Sequence, residues 1–502
     1  MPGVGTEPRR YDAVVVGAAL GGVASAAMLA RQGWKVALVE ALPRAGGRVG
    51  GVERDGWWID WGHRDGHGIG DLAFIPVFTK LAAAAAGAEL SLRPLGGRYL
   101  RVHWLPEGRV TDLPADAVVP QRPESLEELC RSFGDPGDDV ATVAAGVAEV
   151  LAQLSGLDED QADRLVPVPM GQWLVDHVPD RRVHRVILQQ FECVPFTPAA
   201  TTSVGRYAQF LATVRGVPVV PDDAEVGGVA GVVEPFVRAF RQHGGDVLFG
   251  WQAEEVLVHE RQVRGVVALD EASLVAVLEA PVVITDYPGW RLPEFVDERY
   301  LPKEWLDAAR ATERFSADAV SWWAGLRRLP TRRADGAVES FDAPWQRFLY
   351  GEGAIRECHG GFLYPSAYSR RSAPEGKHLL CVEMVGSGEG GPRWRRWPEA
   401  QASIDMNVDY LRQYYADLDE CVEWSSYQYV TAPQYLSWYA KPVRRHPVEV
   451  AGLGGLYVAS SSAESRGAWI DAECAAALEA VSRATAKGLP APPADRAPAP
   501  PG

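Results

Sequence analysis

The sequence predicts an α/β protein in two parts: a Rossmann-like domain on a parallel sheet, discontinuous along the chain, and a second domain of α+β type. Three observations predict it. The run Ala13-Val14-Val15-Val16 is apolar throughout, as a parallel strand covered on both faces must be. It meets Gly17-Ala18-Ala19-Leu20-Gly21-Gly22, a small-residue turn that opens a helix over Val23 to Gln32. A second strand, Lys35 to Val39, follows and ends on Glu40. Strand, glycine turn, helix, strand and terminal acid, in that order, form the first βαβ unit of a dinucleotide-binding fold.

Each element of the unit has a physical reason. Gly17 permits the tight turn, and Gly22 lets the helix pack closely on the strand. Around Leu20 and Gly21 the free N–H groups of the helix start, with the helix dipole, can hold a pyrophosphate. Glu40 lies about 20 residues beyond the turn, where an acidic side chain bonds ribose hydroxyls. Ala19 departs from the pattern: it replaces the middle glycine of G-x-G-x-x-G, where the backbone comes closest to phosphate.

The segment after Glu40 selects the cofactor. Arg44-Ala45-Gly46-Gly47-Arg48 follows the second strand directly, and Asp60-Trp61-Gly62 comes soon after. The run Glu40, Arg44-x-Gly46-Gly47-Arg48, Asp60-x-Gly62 resembles the FAD-dependent amine oxidase and phytoene desaturase superfamily. The resemblance implies FAD rather than NAD, with Arg48 against the FAD phosphates and the glycines passing close to the flavin ring.

Later stretches extend the resemblance. Gly228 to Arg241 reads as a helix with Val232, Val233, Phe236, Val237 and Phe240 on one face. Short strands follow at 247–249, 255–258, 263–269 and 282–285. In the resembled family this block completes the FAD domain, and the residue matching Val256 pairs its backbone with adenine. A strand over Gly454 to Ser461, then Gly467-Ala468-Trp469-Ile470-Asp471 and an alanine-rich helix, resembles the family's C-terminal flavin motif. Trp469 and Asp471 would place the helix N-terminus at the flavin. Ser460-Ser461 stands where the family has Gly-Asp, and serine brings hydrogen bonds without charge. The expected FAD-binding domain covers 10–100, 222–288 and 447–488. A substrate domain covers 101–221 and 289–446, and residues 489–502 are a Pro/Ala-rich tail expected to be disordered. Trp322-Trp323, Trp345, Phe348, Tyr350, Phe362, Tyr364 and Tyr368 either line an apolar cavity or fill an ordinary core.

Composition narrows the partners. A formal charge of −16 over 502 residues argues against nucleic acid and against strong attachment to anionic lipid. An apolar stretch of spanning length and a signal segment are both missing from the reading, so a cytoplasmic protein, at most peripheral to a membrane, is expected. The six cysteines form no C-x-x-C pair, and no metal site is expected.

Chemistry concentrates in His63-Arg64-Asp65-Gly66-His67-Gly68, which the resemblance places beside the flavin ring. His63 or His67 can move a proton near neutral pH, Asp65 can orient one of them, and Arg64 can hold negative charge. The alternative for this loop is internal satisfaction at the surface. Gly386 to Gly391 is glycine-rich but runs into Pro392 rather than a helix, so no second nicotinamide site is evident. Oxygen, a quinone or a partner protein is then the electron acceptor. The expected function is dehydrogenation or isomerisation of a largely apolar small molecule by hydride transfer to FAD. The alternatives are oxidation of a C–N bond and, because of Ala19 and Ser460-Ser461, a scaffold protein that binds FAD weakly or not at all.

Overall fold

The structure is a computed structural model that describes residues 8–62, 77–105, 108–117, 123–193, 202–213, 219–313, 316–338, 345–350, 360–363, 366, 369, 371–386, 394, 396–436, 443–467 and 469–486. Its centre is a five-stranded parallel sheet. The strands are β1 (Ala13–Val16), β2 (Val36–Glu40), β3 (Asp246–Phe249), β4 (Val282–Thr285) and β5 (Leu456–Val458). They lie side by side as β3-β2-β1-β4-β5. Register aligns Val39 with Val16, Val16 with Thr285, and Thr285 with Val458, so the C-terminal ends are level. Segments more than 200 residues apart in sequence thus meet along one edge, the order reversing at β1, where such sheets bind ligands.

Both faces of this sheet are covered, which is why its strands are apolar without alternation. On one face lie helices α1 (Leu20–Arg31), α2 (Val77–Ala86), α3 (Ala230–Gln242) and α4 (Trp469–Ala486). Val23 and Ala27 of α1, Phe236 of α3 and Ala476 and Ala480 of α4 share one core with Val15 and Leu38. Small side chains on α1 and α4 bring these helices close. On the other face Val14, Val16 and Val283 pack against Val256, Val266 and Leu278 of a four-stranded sheet, in which Trp251–His259, Gln262–Asp270 and Val275–Glu279 run antiparallel and Arg9–Arg10 adds a parallel edge.

A seven-stranded sheet forms the rest of the framework, in the order Val422–Leu436, Ser316–Leu326, His378–Gly386, Gly360–Leu363, Trp345–Tyr350, Arg98–Leu105, Arg109–Pro114. All its neighbours are antiparallel except Trp345–Tyr350 with Arg98–Leu105. Successive side chains of a strand point to opposite faces. Trp322 therefore packs with Ile404 and Leu411 of the helix Trp397–Tyr414, while Trp323 packs with Val143, Val147 and Leu129 on the other side. Both tryptophans are core residues. Trp345, Phe348, Tyr350 and Phe362 lie on strands of this sheet, and Tyr364 and Tyr368 lie outside the described residues.

Boundaries differ from the sequence reading where backbone geometry intervenes. Helix α1 begins at Leu20, three residues earlier, because Leu20 to Gly22 are small or apolar enough to be buried at its start. Helix α3 begins at Ala230, since Gly228 takes φ +54° and Asp60 accepts the Val229 N–H at 3.1 Å. Among the described residues no single helix is long and apolar enough to cross a membrane.

Candidate cofactor site at the ends of the parallel strands

The cradle forms where β1 turns into α1. Gly17 adopts φ +94°, a conformation that disfavours other residues, and donates its N–H to Val39 O at 2.8 Å. The N-cap of α1 is Ala19, which has no side-chain acceptor to offer the first-turn N–H groups. Its methyl faces the loop after β2: a Cβ on Gly47 would stand 3.1 Å from it, and Gly47 already takes φ +52°. The Gly46 N–H bonds Ala18 O at 2.7 Å. The departure at Ala19 is thus absorbed by Gly46-Gly47. Gly21 marks a closer approach still, because a Cβ there would lie 1.8 Å from the Ala459 carbonyl.

Glu40 ends β2 and is nearly buried. Its carboxylate accepts the N–H of Ala18 and the N–H of Leu42, each at 2.7 Å. Burial pushes its pKa up, while those two N–H groups and Arg44 pull the other way. Two carboxylate oxygens offer about four acceptor sites, so room remains for ribose hydroxyls. Arg44 lies along Gly50, its Nη1 at 2.7 Å from where a Cβ of Gly50 would sit. Arg48 Nη2 approaches Glu473 Oε1 at 3.7 Å.

Two acids that the sequence reading did not single out stand at the same turn. Asp286 follows β4 directly, and its N–H donates to Val16 O at 3.1 Å. Its carboxyl fills the space beside the two turn glycines: a Cβ on Gly17 would sit 1.8 Å from Oδ1, and one on Gly22 would sit 2.6 Å from Oδ2. Asp286 Oδ2 is buried without a hydrogen-bond partner. Glu473, on the first turns of α4, is 5% exposed. Its Oε1 accepts from Ser461 Oγ at 3.4 Å, and its Oε2 is buried without a partner. Burial, then Glu40, then Glu473 hold the Asp286 carboxyl well above the ordinary range, against the N–H groups of Ala19 and Gly22. Burial raises Glu473 as well, against Arg48.

The remaining predicted contacts have mixed positions. Ser460 and Ser461 lie in the loop after β5 and are buried. Ser460 Oγ bonds Ser462 Oγ at 2.7 Å, and Ser462 Oγ bonds His446 Nε2 at 2.9 Å. Burial drops the His446 pKa to about 4, so it is a neutral structural imidazole. Val256 spends its N–H on Phe295 O at 2.7 Å. Asp471 receives the Thr79 N–H at 2.6 Å and the Thr79 Oγ1 proton at 2.9 Å, and so caps α2. Trp469 opens α4, and Gly62 ends the strand Trp57–Gly62, paired with Val49. His63, Arg64, Asp65 and His67 lie outside the described residues.

Asp471 carries a pH prediction. Burial raises its carboxyl from an ordinary 3.8 to about 6. Between those values the native state holds a proton that the unfolded chain has released, so stability falls as pH rises through that window. Asp471→Asn keeps an acceptor for Thr79 and removes the titration. Urea unfolding is expected to show the variant gaining on the natural protein, by on the order of 2 kcal/mol, between about pH 4 and about pH 7.

A dinucleotide fits the backbone of this cradle: a left-handed glycine turn, a helix start that its own N-cap residue does not cap, and an acid at the end of the neighbouring strand. The charge fits under one condition. A phosphate oxygen about 4 Å from an ionised carboxylate meets a repulsion on the order of 4 kcal/mol at an effective dielectric near 20. Un-ionised, the same carboxyl donates a hydrogen bond to phosphate. Burial raises both the Asp286 and the Glu473 carboxyls, which favours the second form.

Comparison with known proteins agrees with this architecture. The family described as flavin containing amine oxidoreductase matches residues 20–478. The chloroplastic prolycopene isomerase of Daucus carota is 37% identical over 86 residues, which are 17% of this chain and 14% of that protein. An oxidoreductase of Methanosarcina mazei superposes with TM-score 0.67 at 16% identity, covering 94% of this chain and 99% of its own. Putrescine oxidase bound to putrescine gives TM-score 0.60 at 16% identity, over 96% and 99%. Cyclohexylamine oxidase of Brevibacterium oxydans gives 0.56 at 17%, over 95% and 99%. At such identities these structures speak for the fold, and the family match across most of the chain speaks for membership. The chain belongs to the flavin-containing amine oxidoreductases and is an FAD-dependent oxidoreductase.

Proposed function

We propose that the chain dehydrogenates or isomerises a largely apolar organic molecule, in the manner of the desaturase-like branch of its family. The observation that carries this reading is the similarity to prolycopene isomerase, a protein named for an apolar polyene. Bound FAD would supply a hydride acceptor beside the substrate. The protein's own part is orientation: β1, β2 and α1 hold the dinucleotide end, and the seven-stranded sheet with its helices provides apolar packing. His63 and His67 are the proposed proton carriers, with Asp65 orienting one of them and Arg64 holding negative charge. Oxygen, a quinone or a partner protein is the proposed electron acceptor.

Arg48 contributes a charge-assisted contact to the cofactor phosphates in this reading. Arg48→Ala is expected to weaken FAD binding by about 1.5–3 kcal/mol, read by fluorescence titration. His63→Ala and His67→Ala are expected to reduce turnover more than flavin content.

A second reading, oxidation of a C–N bond, is favoured by Glu383. This carboxylate is 2% exposed and pairs in register with Ser321, two residues along from Cys381 on the same face. A buried carboxylate complements a cationic amine. Anaerobic mixing of the FAD-loaded protein with polyenes and with amines separates the readings. Bleaching of the visible flavin band by polyenes alone supports the first, and bleaching by amines, lost in Glu383→Gln, supports the second.

A further inference from the structure

We propose that Asp286 and Glu473 make cofactor binding proton-linked: the cradle takes up FAD with these two carboxyls protonated and rejects its pyrophosphate when they are ionised. The inference rests on FAD being the cofactor and concerns what this chain adds to its site.

The geometry is specific. Four elements converge on one turn. The β1–α1 turn presents the N–H groups of Ala19 and Gly22, and β2 brings Glu40. The end of β4 brings Asp286, and α4 brings Glu473. Helix starts of this kind attract anions, and the Asp286 carboxyl already stands there, inside the space a side chain on Gly17 or Gly22 would need. Among the described residues, Arg44 and Arg48 bring positive charge near the turn. Arg48 faces Glu473 at 3.7 Å, and Arg44 acts on Glu40. Tyr287, next to Asp286, is itself pushed up to about 12 by burial and by the acids, and so stays neutral.

A pyrophosphate dianion entering this turn brings like charge to three acids. Glu40 has its N–H bonds from Ala18 and Leu42 to hold its charge. Asp286 has the N–H groups of Ala19 and Gly22, and Glu473 has Arg48 and Ser461, but Asp286 Oδ2 and Glu473 Oε2 are each buried without a hydrogen-bond partner, and a proton on each turns that acceptor into a donor. Binding the dianion therefore draws protons onto Asp286 and Glu473. By linkage, affinity falls as pH rises, by up to about tenfold per pH unit for each proton taken up.

The test uses the full chain and FAD itself. FAD is titrated by calorimetry from about pH 5.5 to about pH 8.5 in buffers of different ionisation enthalpy, which reports protons taken up on binding. Asp286→Asn and Glu473→Gln, singly and together, are measured alongside. The expected result is proton uptake by the natural protein and weakening affinity towards alkaline pH, with both flattened in the double variant. Proton uptake in the natural protein needs no variant, so a variant that fails to fold leaves the test intact. Affinity independent of pH with no proton uptake overturns the proposal and leaves FAD as cofactor. Failure of natural protein and variants alike to bind FAD at any pH overturns the cofactor assignment, and the proposal with it.

Discussion

Gly21→Ala is expected to destabilise the protein by about 3 kcal/mol and to abolish FAD uptake. The added methyl would stand 1.8 Å from the Ala459 carbonyl and 3.0 Å from its carbon. Both atoms are backbone and cannot rotate away. Ala459 is held by its N–H bond to Thr285 O at 2.7 Å, so the loop after β5 is tied to β4. Helix α1 must then move. It is packed on α3 and α4 through Phe236, Ala476 and Ala480, and its displacement opens that core. The same displacement shifts the N–H groups that hold pyrophosphate. Chemical denaturation reads the first effect and a flavin titration the second. A glycine without such a neighbour, Gly33 of the α1–β2 connection, has open space at its Cβ position but φ +86°, so its alanine variant isolates backbone strain from collision.

Arg445→Ala is expected to cost about 3–5 kcal/mol, and Arg445→Lys to recover little of it. The guanidinium is 5% exposed and organises the serine loop from beneath. Its Nη1 donates to Ser461 O at 3.2 Å and Ala463 O at 2.9 Å, and its Nη2 donates to Ser465 O at 2.8 Å. Glu464 balances it, accepting the Arg445 N–H at 3.0 Å and pairing with Arg206 at 2.7 Å. Truncation strips three buried carbonyls of their donors at once. An ammonium group lacks the planar fork that reaches them together. Ser461 in turn bonds Glu473, so the variant also releases one wall of the cofactor cradle. Thermal unfolding and FAD affinity are expected to fall together.

Much of the fold was legible because it is local. Val14 to Val16, the glycine turn and Glu40 occupy one short stretch, and each obeys a rule of strand burial, turn conformation or helix start. The strands over 247–249 and 282–285 were legible as apolar runs, and the structure joins them to β1 and β2. The seven-stranded sheet was not legible. Its pairings join residues such as Leu100 and Trp345, which no local pattern connects. The site divides in the same way. Glu40 and the turn were legible from spacing, whereas Asp286 read only as the close of a strand and Glu473 as one residue of an alanine-rich helix. A signal existed in each case: an acid ends an apolar strand at Asp286, and a second acid, Glu473, follows Asp471 between Ala472 and Cys474. Their meaning comes from each other and from Gly17 and Gly22, which only the folded chain brings together. Asp471 shows the opposite case. Its place at the start of α4 was read correctly, but the structure gives its carboxyl Thr79 of α2 as partner.

Reconstitution with FAD at mildly acid pH, followed by equilibrium dialysis and a visible spectrum, tests the central claim most directly. The account predicts that the natural chain retains stoichiometric flavin with the spectrum of a protein-bound chromophore, and that Gly21→Ala retains none. Natural protein that folds, stays soluble and emerges colourless from excess FAD would contradict it.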